Sequence, residues 1–564
     1  MFDRFSTERE ILDALTPMEG GAAGVILYEK AGRFYGSADA EKHVLVSGAT
    51  RSGKTSRVSV NLIYSIVHSA DSAIVVDTPK KDLYKATAEY AMKCGTHMVY
   101  HLDCTNWGSP DSYNPVLEIA AKFADPDLTA QDDAWRDAEQ MGRILVARQP
   151  RDAYFEEAGA QFLTGLLLAL CELAHEDEEL NLSSLQAMCA EALQFVRHER
   201  VIDEILDLLP KESPARPTLS MVANSARETG GSIFSVSLSA LNKVCMGNGG
   251  IMDVFNDTDA SITLANLPRD PFILCITLPE DGTAAIGVLI LAQLINHFIR
   301  LADRSKTGRL ENTLHIILEE MGVIGEYLKE DLPRYTSSCA GRNIRITMVC
   351  QSPAQLVRAF GDAGARTIRG NCGTCIHFAD HDPDGCEEIS RFCGKYPVFS
   401  GDVPGGVVEY DHIRPEEVRR LKVGQALILS GGLCYVTDLP LYTRLFTPPE
   451  WNGEDPICFK FKEYYKVFHP AALVEEKRNA ELEALKRLRD ETCARHEAEK
   501  AKEADGLKHM TVSEAVEEAH RRRKRRAQMQ QGTEHSPKID LWQRAARMFR
   551  KGTKEGKGSM EANQ

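Results

Sequence analysis

The chain has 564 residues, 43% of them hydrophobic and 26% charged, which fits a soluble globular protein of roughly three or four domains. A formal net charge of -15 excludes a surface that attracts nucleic acid or anionic lipid everywhere, so any polyanion must be met locally. Fifteen cysteines with no framework spacing and no signal peptide exclude a disulfide-stapled secreted class and point to a reducing, cytoplasmic compartment.

From Lys42 to about Val116 apolar runs alternate with helical periodicity: HVLVSG, a helix from Lys54, SAIVVD, another helix, then MVYHLD. That alternation predicts an α/β domain with a mainly parallel sheet. Gly48 to Thr55, GATRSGKT, fits G-x-x-x-x-G-K-[ST] between a strand and a helix. Backbone N–H groups of Gly48, Ala49, Thr50, Arg51, Ser52 and Gly53 would cradle phosphates, aided by the positive end of the helix. Lys54 would reach the β and γ phosphates and the Thr55 hydroxyl would ligate Mg²⁺, so a nucleoside triphosphate is the expected ligand.

From about Glu118 to Asn242 helix follows helix, as in DAWRDAEQMGRILVARQ and YFEEAGAQFLTGLLLALCELA, which reads as an all-helical insertion. Strand-like runs resume at ITLANL, FILCITL, LHIILEE, IRITMVCQ and TCIHFAD. The expected divisions are 1–118 and 243–448 for the split α/β domain, 119–242 for the insertion and 449–564 for a charged helical extension. Ala158 to Ala174 and Gly282 to Ile299 approach membrane length, but Gln161, Glu172, Gln293, Asn296 and His297 interrupt them, so both are expected as buried core helices and no transmembrane segment is expected.

The run LHIIL stops at two adjacent carboxylates, Glu319 and Glu320. Beside a P-loop this pattern supplies Glu319 as a Mg²⁺ carboxylate and Glu320 as the group that activates the attacking water. Gln351 ends the next apolar run and can sense the γ-phosphate. Arg342, just ahead of that run, is either a finger offered to a neighbouring subunit's nucleotide or a solvated loop charge. Cys372, Cys375, Cys386 and Cys393, with His377 and His381, form too loose a set for a zinc knuckle, and Cys375 falls in an apolar run where Cys is filler.

Leu473 to about Gln531 is charge-rich and almost without aromatics, as a solvated helix or short coiled coil would be. His520 to Arg526, HRRRKRR, either contacts DNA or anionic lipid or balances the acidic helix before it. Lys538 to Lys551 sets Leu541, Trp542, Ala545, Met548 and Phe549 at helical spacing against cations, the pattern of a docking helix for a membrane or a partner.

In order along the chain, HVLVSGATRSGKT, PKKDLY, SPDSYNPV, YFEEAGAQFLTGLLLAL, LEEMGVIG, GRNIRITMVCQSPAQL, AFGDAGARTIRGNCGTCIHF and EEISRFCG resemble the TraG/TraD-type coupling proteins of type IV secretion and conjugation systems, in their Gram-positive, integrative-element style. The resemblance covers roughly residues 20–445. It implies a RecA-like P-loop ATPase using ATP and Mg²⁺, a homo-hexamer at the inner face of the membrane. Such a protein receives relaxase-bound single-stranded DNA, in a relaxosome, and feeds it to type IV secretion channel proteins. It also implies that the helical insertion takes part in substrate recognition, that Glu319 and Glu320 are the Walker B pair, Gln351 the sensor and Arg342 the finger.

Three departures stand out. No membrane span precedes the P-loop, so anchoring is expected either to come from a separate membrane-anchor protein or to be absent. The family's Asp-Pro-Lys-Gly-Glu-Leu appears as Asp77-Thr78-Pro79-Lys80-Lys81-Asp82-Leu83, with the Asp shifted and the Gly lost. Glu319 stands where an Asp is usual, and because a water can absorb one methylene, Glu319→Asp is expected to keep or raise turnover. Two other readings stay open: a nucleotide-binding substrate receptor with little turnover, and a related ring translocase for duplex DNA or protein.

Overall fold

A computed structural model of the chain describes residues 4–531 apart from 19–20, 38–41, 106–110, 148–152, 246–248, 281, 320, 400–406, 448–464 and 508–510. Near the N-terminus, β1 (Thr16–Pro17), β2 (Val25–Lys30) and β3 (Arg33–Ser37) form a small antiparallel sheet in the order β1-β3-β2. The apolar runs that follow become β4 (His43–Ser47), β5 (Ser72–Asp77) and β6 (Met98–Asp103). Helices then dominate as far as Asn256, interrupted by a hairpin of β7 (Phe195–Val196) and β8 (Glu199–Arg200). Next come β9 (Phe272–Thr277), β10 (Leu314–Leu318), β11 (Ile344–Cys350), β12 (Cys372–His377), the two-stranded ribbon β13 (Lys395–Phe399) and β14 (Val407–Asp411), and the hairpin β15 (Gln425–Ser430) and β16 (Leu433–Asp438).

Nine of these strands make one sheet in the order β16-β15-β12-β4-β11-β10-β5-β9-β6. From β12 to β6 every pair is parallel; β15 and β16 add an antiparallel edge. Every residue of β4, β9, β10 and β11 is buried, as parallel strands covered on both faces must be. The chain leaves β4 toward β5 on one side and places β12 on the other, so β4 lies at the switch point where open α/β sheets bind ligands. Register brings the strand ends level: Ser47 pairs with Cys350 and His377, and Leu318 with Val76.

ITLANL, expected as a strand, is not one. Ile262 and Leu264 are buried, but their N–H groups donate to Ser112 O and to the Glu118 carboxylate, and a turn from Thr263 closes before any ladder forms. The two long apolar segments are helices, Ala153–Leu173 and Ala285–Arg304. By length and composition Ala285–Arg304 could cross a membrane, yet 72% of its most apolar window is buried within the protein. Its Arg300 grips the buried Asp137 carboxylate of the Leu128–Val146 helix with two guanidinium nitrogens, and Lys122 bonds the same group at 2.7 Å. This pairing offsets the cost of burying the charge and ties the helical stretch to the sheet's covering helix.

A second compact unit begins at Glu476. It contains the continuation of the Pro470–Leu507 helix and the exposed Val512–Gln531 helix that carries HRRRKRR. The amphipathic segment Lys538 to Lys551 lies outside the described residues.

Candidate functional site

β4 delivers the chain into the Gly48–Thr55 loop. A Cβ on Gly48 would stand 2.6 Å from the Phe378 Cβ, so only glycine lets the loop pass β12. Gly53, at φ +109°, turns the chain into the helix, and the exposed Arg51 takes a left-handed φ of 65°. The loop is pinned from outside: Ala49 N–H donates to Ala379 O at 2.8 Å, and Gly424 N–H to Ser52 O at 3.1 Å. Thr50 lies in the exposed turn. Lys54 Nζ donates to Gly48 O at 2.6 Å and Ala49 O at 3.0 Å, which holds the ammonium over the loop mouth. The buried Ser52 hydroxyl has no hydrogen-bond partner among the described residues. A loop holding an ammonium and an orphaned hydroxyl fits an entering phosphate group.

The helix after Lys54 opens with a π turn, Thr55–Ser59, before regular α-helix over Val60–Val67. Thr55 and Ser59, four residues apart, share one face. Both reach the carboxylate at the end of β10: Thr55 Oγ1 donates to Glu319 Oε2 at 3.1 Å, and Ser59 Oγ donates to Glu319 Oε1. Burial pushes the Glu319 carboxyl above the usual range, against the lowering effect of the Ser59 and Thr55 hydroxyls and the Lys54 charge. A carboxylate desolvated beside a hydroxyl is an all-oxygen donor pair of the kind Mg²⁺ takes. Glu320 lies outside the described residues.

Ser59, which sequence reasoning passed over, reverses the expectation for Glu319→Asp. The glutamate spans two hydroxyls, and a side chain one methylene shorter reaches only one of them. Glu319→Asp should therefore lower ATP turnover by about tenfold, the loss of one hydrogen bond to a charged group at about 1.5 kcal/mol. Steady-state phosphate release measures it, and turnover at or above wild type would show that Ser59 is idle.

On the neighbouring strand Asp77 stands level with Glu319. It is 1% exposed and accepts backbone N–H groups from Thr78 at 2.8 Å and from Leu83 and Tyr84 at 3.0 Å, so it organises the turn into the Asp82–Cys94 helix. Burial nevertheless raises its carboxyl to about 7, with Glu319 and Asp82 adding to the rise. A folded-state value above the unfolded one means the native chain holds the proton longer, so stability present below about pH 4 is lost as pH climbs through 7. Asp77→Asn does not titrate. The difference in unfolding free energy between variant and wild type, from urea titrations without nucleotide, should shift in the variant's favour by about 1.4 kcal/mol per pH unit across that window. A gap that stays constant with pH would contradict it.

Lys81 occupies the position of the lost glycine and keeps the conformation glycine suits, φ 57°. Its ammonium pairs with Asp103, whose side chain is 2% exposed. Lys81→Gly would relieve about 1 kcal/mol of left-handed strain and take the cation from a buried carboxylate that keeps the Thr105 N–H and hydroxyl, at about 3 kcal/mol. The expected outcome is a net loss of about 2 kcal/mol in denaturant unfolding, whereas a stabilised variant would mean the ion pair contributes nothing.

Gln351 follows β11, the strand between β4 and β10; it is exposed, and its N–H donates to Gln355 Oε1 at 2.7 Å. Arg342 precedes the same strand, at the opposite end from Gln351, donating to Asp303 Oδ1 at 2.7 Å and Ser338 O at 2.5 Å. The chain thus brings Lys54, Thr55, Ser59 and Glu319 together and leaves Arg342 far from its own loop. His377 is buried against Ser47 Oγ at 2.7 Å, with burial lowering it to about 4, and Cys375 is buried in β12.

Residues 5–401 match the family described as type IV secretory system conjugative DNA transfer. Among curated proteins, the type IV secretion system-coupling protein VirD4 of Bartonella quintana is 24% identical over 253 residues, covering 43% of this chain and 37% of that protein. The conjugal transfer protein TraG of Escherichia coli is 22% identical over 466 residues, covering 77% and 70%. The chain's match thus spans little more than a third of the Bartonella protein's length. Among solved structures, plasmid coupling protein TrwB with the non-hydrolysable GTP analogue GDPNP superposes with a TM-score of 0.59 at 15% identity, over 82% of this chain and 98% of that one. TrwB with ADP and Mg²⁺ gives 0.53 at 15% identity, over 81% and 96%. The shared fold is the RecA-like P-loop NTPase.

Proposed function

Because the chain belongs to the type IV secretory system conjugative DNA transfer family, we propose that it is an ATP-hydrolysing coupling protein that recruits relaxase-bound single-stranded DNA and drives it into a type IV secretion channel. The observation that carries the reading is the convergence of Lys54 and Thr55 from the loop with Glu319 from β10. The TrwB complexes with nucleotide analogues and with ADP and Mg²⁺ support the same ligands here.

In this reading the loop N–H groups from Gly48 to Gly53, apart from those of Ala49 and Ser52, which donate to Ala379 O and Ala49 O, bind the β and γ phosphates with the Lys54 ammonium, while Thr55 and Glu319 hold Mg²⁺. The metal, when bound, neutralises charge developing on the transferred phosphoryl group. Ser59 keeps the Glu319 carboxylate aimed at the loop. Glu320 takes the proton of the attacking water, and Gln351, on the strand between, reports the state of the γ-phosphate. The helical stretch 119–242 recognises the relaxosome. Active chains form a homo-hexamer, peripheral at the inner face of the membrane.

Phosphate release by the purified chain, with and without single-stranded DNA, tests the proposal. Turnover stimulated by single strands is the expected result. Nucleotide binding with turnover at background in the presence of DNA would leave only the receptor function.

A further inference from the structure

In an acidic chain, the HRRRKRR run is an exception confined to one helix, Val512–Gln531, in the second compact unit. Six cations from Arg521 to Arg526 occupy about 8 Å of helix axis at 1.5 Å per residue. His520, Arg521, Arg523 and Lys524 are exposed. The helix also carries Glu514, Glu517 and Glu518, all before the run. Glu514 caps the helix start by accepting from the Thr511 N–H and hydroxyl, and Glu517 pairs with Arg521 at 3.7 Å, both side chains over 70% exposed. Such an exposed pair is worth less than about 1 kcal/mol. Even if each glutamate neutralised one cation, half of the positive charge would remain.

Two features decide the partner. Successive residues step 100° around a helix, so six consecutive cations surround it and define no face. A flat membrane meets only one side of such a helix and a duplex groove leaves its outer side in solvent, whereas a flexible strand can follow charge all the way around it. A membrane-surface helix further needs an apolar face, and the apolar residues of this helix, Val512, Val516 and Met529 among them, all lie outside the run. We propose that this basic run, around the exposed Arg521, Arg523 and Lys524, forms a binding site for single-stranded nucleic acid, beyond the family-matched residues 5–401.

The test uses the full chain without nucleotide and a fluorescent oligodeoxythymidylate of about 20 nucleotides, with anisotropy read across a salt series. In the triple variant Arg521→Gln, Arg523→Gln, Lys524→Gln, the log–log salt slope should become shallower by about 2, and affinity at physiological ionic strength should fall about 50-fold, at about 0.7 of slope per phosphate contact. A matched variant, Lys486→Gln, Arg487→Gln, Arg489→Gln, removes the same charge from the mixed-charge helix before it and should cost less than about threefold. Unchanged binding in the first variant, or equal losses in both, overturns the site. A duplex competing as well as the single strand overturns the choice of partner, as does loss of phosphatidylserine-vesicle binding in a variant that still holds DNA normally. The inference deepens the DNA-transfer reading, and the two fail separately. A chain without ATPase activity that binds DNA through the run keeps the site and sinks the motor, and an active motor whose binding ignores the run does the reverse.

Discussion

Lys54→Ala should reduce ATP turnover by at least about 10²-fold while leaving the folded chain intact, because its ammonium is the group aimed at the charge that develops in the loop. In the resting structure Nζ sits on two neutral carbonyls, Gly48 O and Ala49 O. A triphosphate offers anionic oxygens at the same mouth, and bonds between charged partners are about twice as strong as those to neutral acceptors, so the exchange is favourable. The side chain lies in the loop and outside the sheet's core, so the thermal midpoint should move little. Phosphate release with saturating single-stranded DNA reads the first effect and calorimetry the second. Retained turnover, within about tenfold of wild type, would sink the motor mechanism. Lost turnover with undiminished DNA recruitment would show that recruitment and transport are separable steps in one chain.

Much of this site was legible because parallel strands buried on both faces read as unbroken apolar runs, and HVLVS, SAIVVD and LHIIL announce both themselves and the polar residues at their ends. Their order in the sheet carries no such mark. Nothing in the residues says that β11 separates β4 from β10, which is what sets Gln351 between the loop and Glu319. Ser59 was hidden among buried neighbours, Val58 and Val60, and its only signal was the four-residue spacing from Thr55. The β7–β8 hairpin turns at Arg197 and His198, both at positive φ without Gly or Asn, so no turn signal preceded it. The β15–β16 hairpin did carry one, Gly431-Gly432 at φ 58° and 89°, inside a run that composition alone left unassigned.

Arg342→Ala should lower turnover about 10³-fold, and the loss should depend on assembly. β11 spans seven residues, about 23 Å at 3.3 Å each, with Arg342 before its first residue and Gln351 after its last. The guanidinium therefore cannot reach phosphates in its own loop, and any catalytic role must be exercised on a neighbouring subunit. In the single chain it rests on Asp303 and Ser338 O, partly exposed, a pairing weak enough to be exchanged for a triphosphate. Specific activity should accordingly rise with protein concentration. Mixing separates a trans contact from a structural one: Lys54→Ala chains keep Arg342 and lack a working loop, Arg342→Ala chains keep the loop, and together they should recover activity that neither has alone. Flat specific activity, an unaffected Arg342→Ala and no recovery on mixing would identify Arg342 as a loop charge anchored to Asp303, and the nucleotide site would then be complete within one chain.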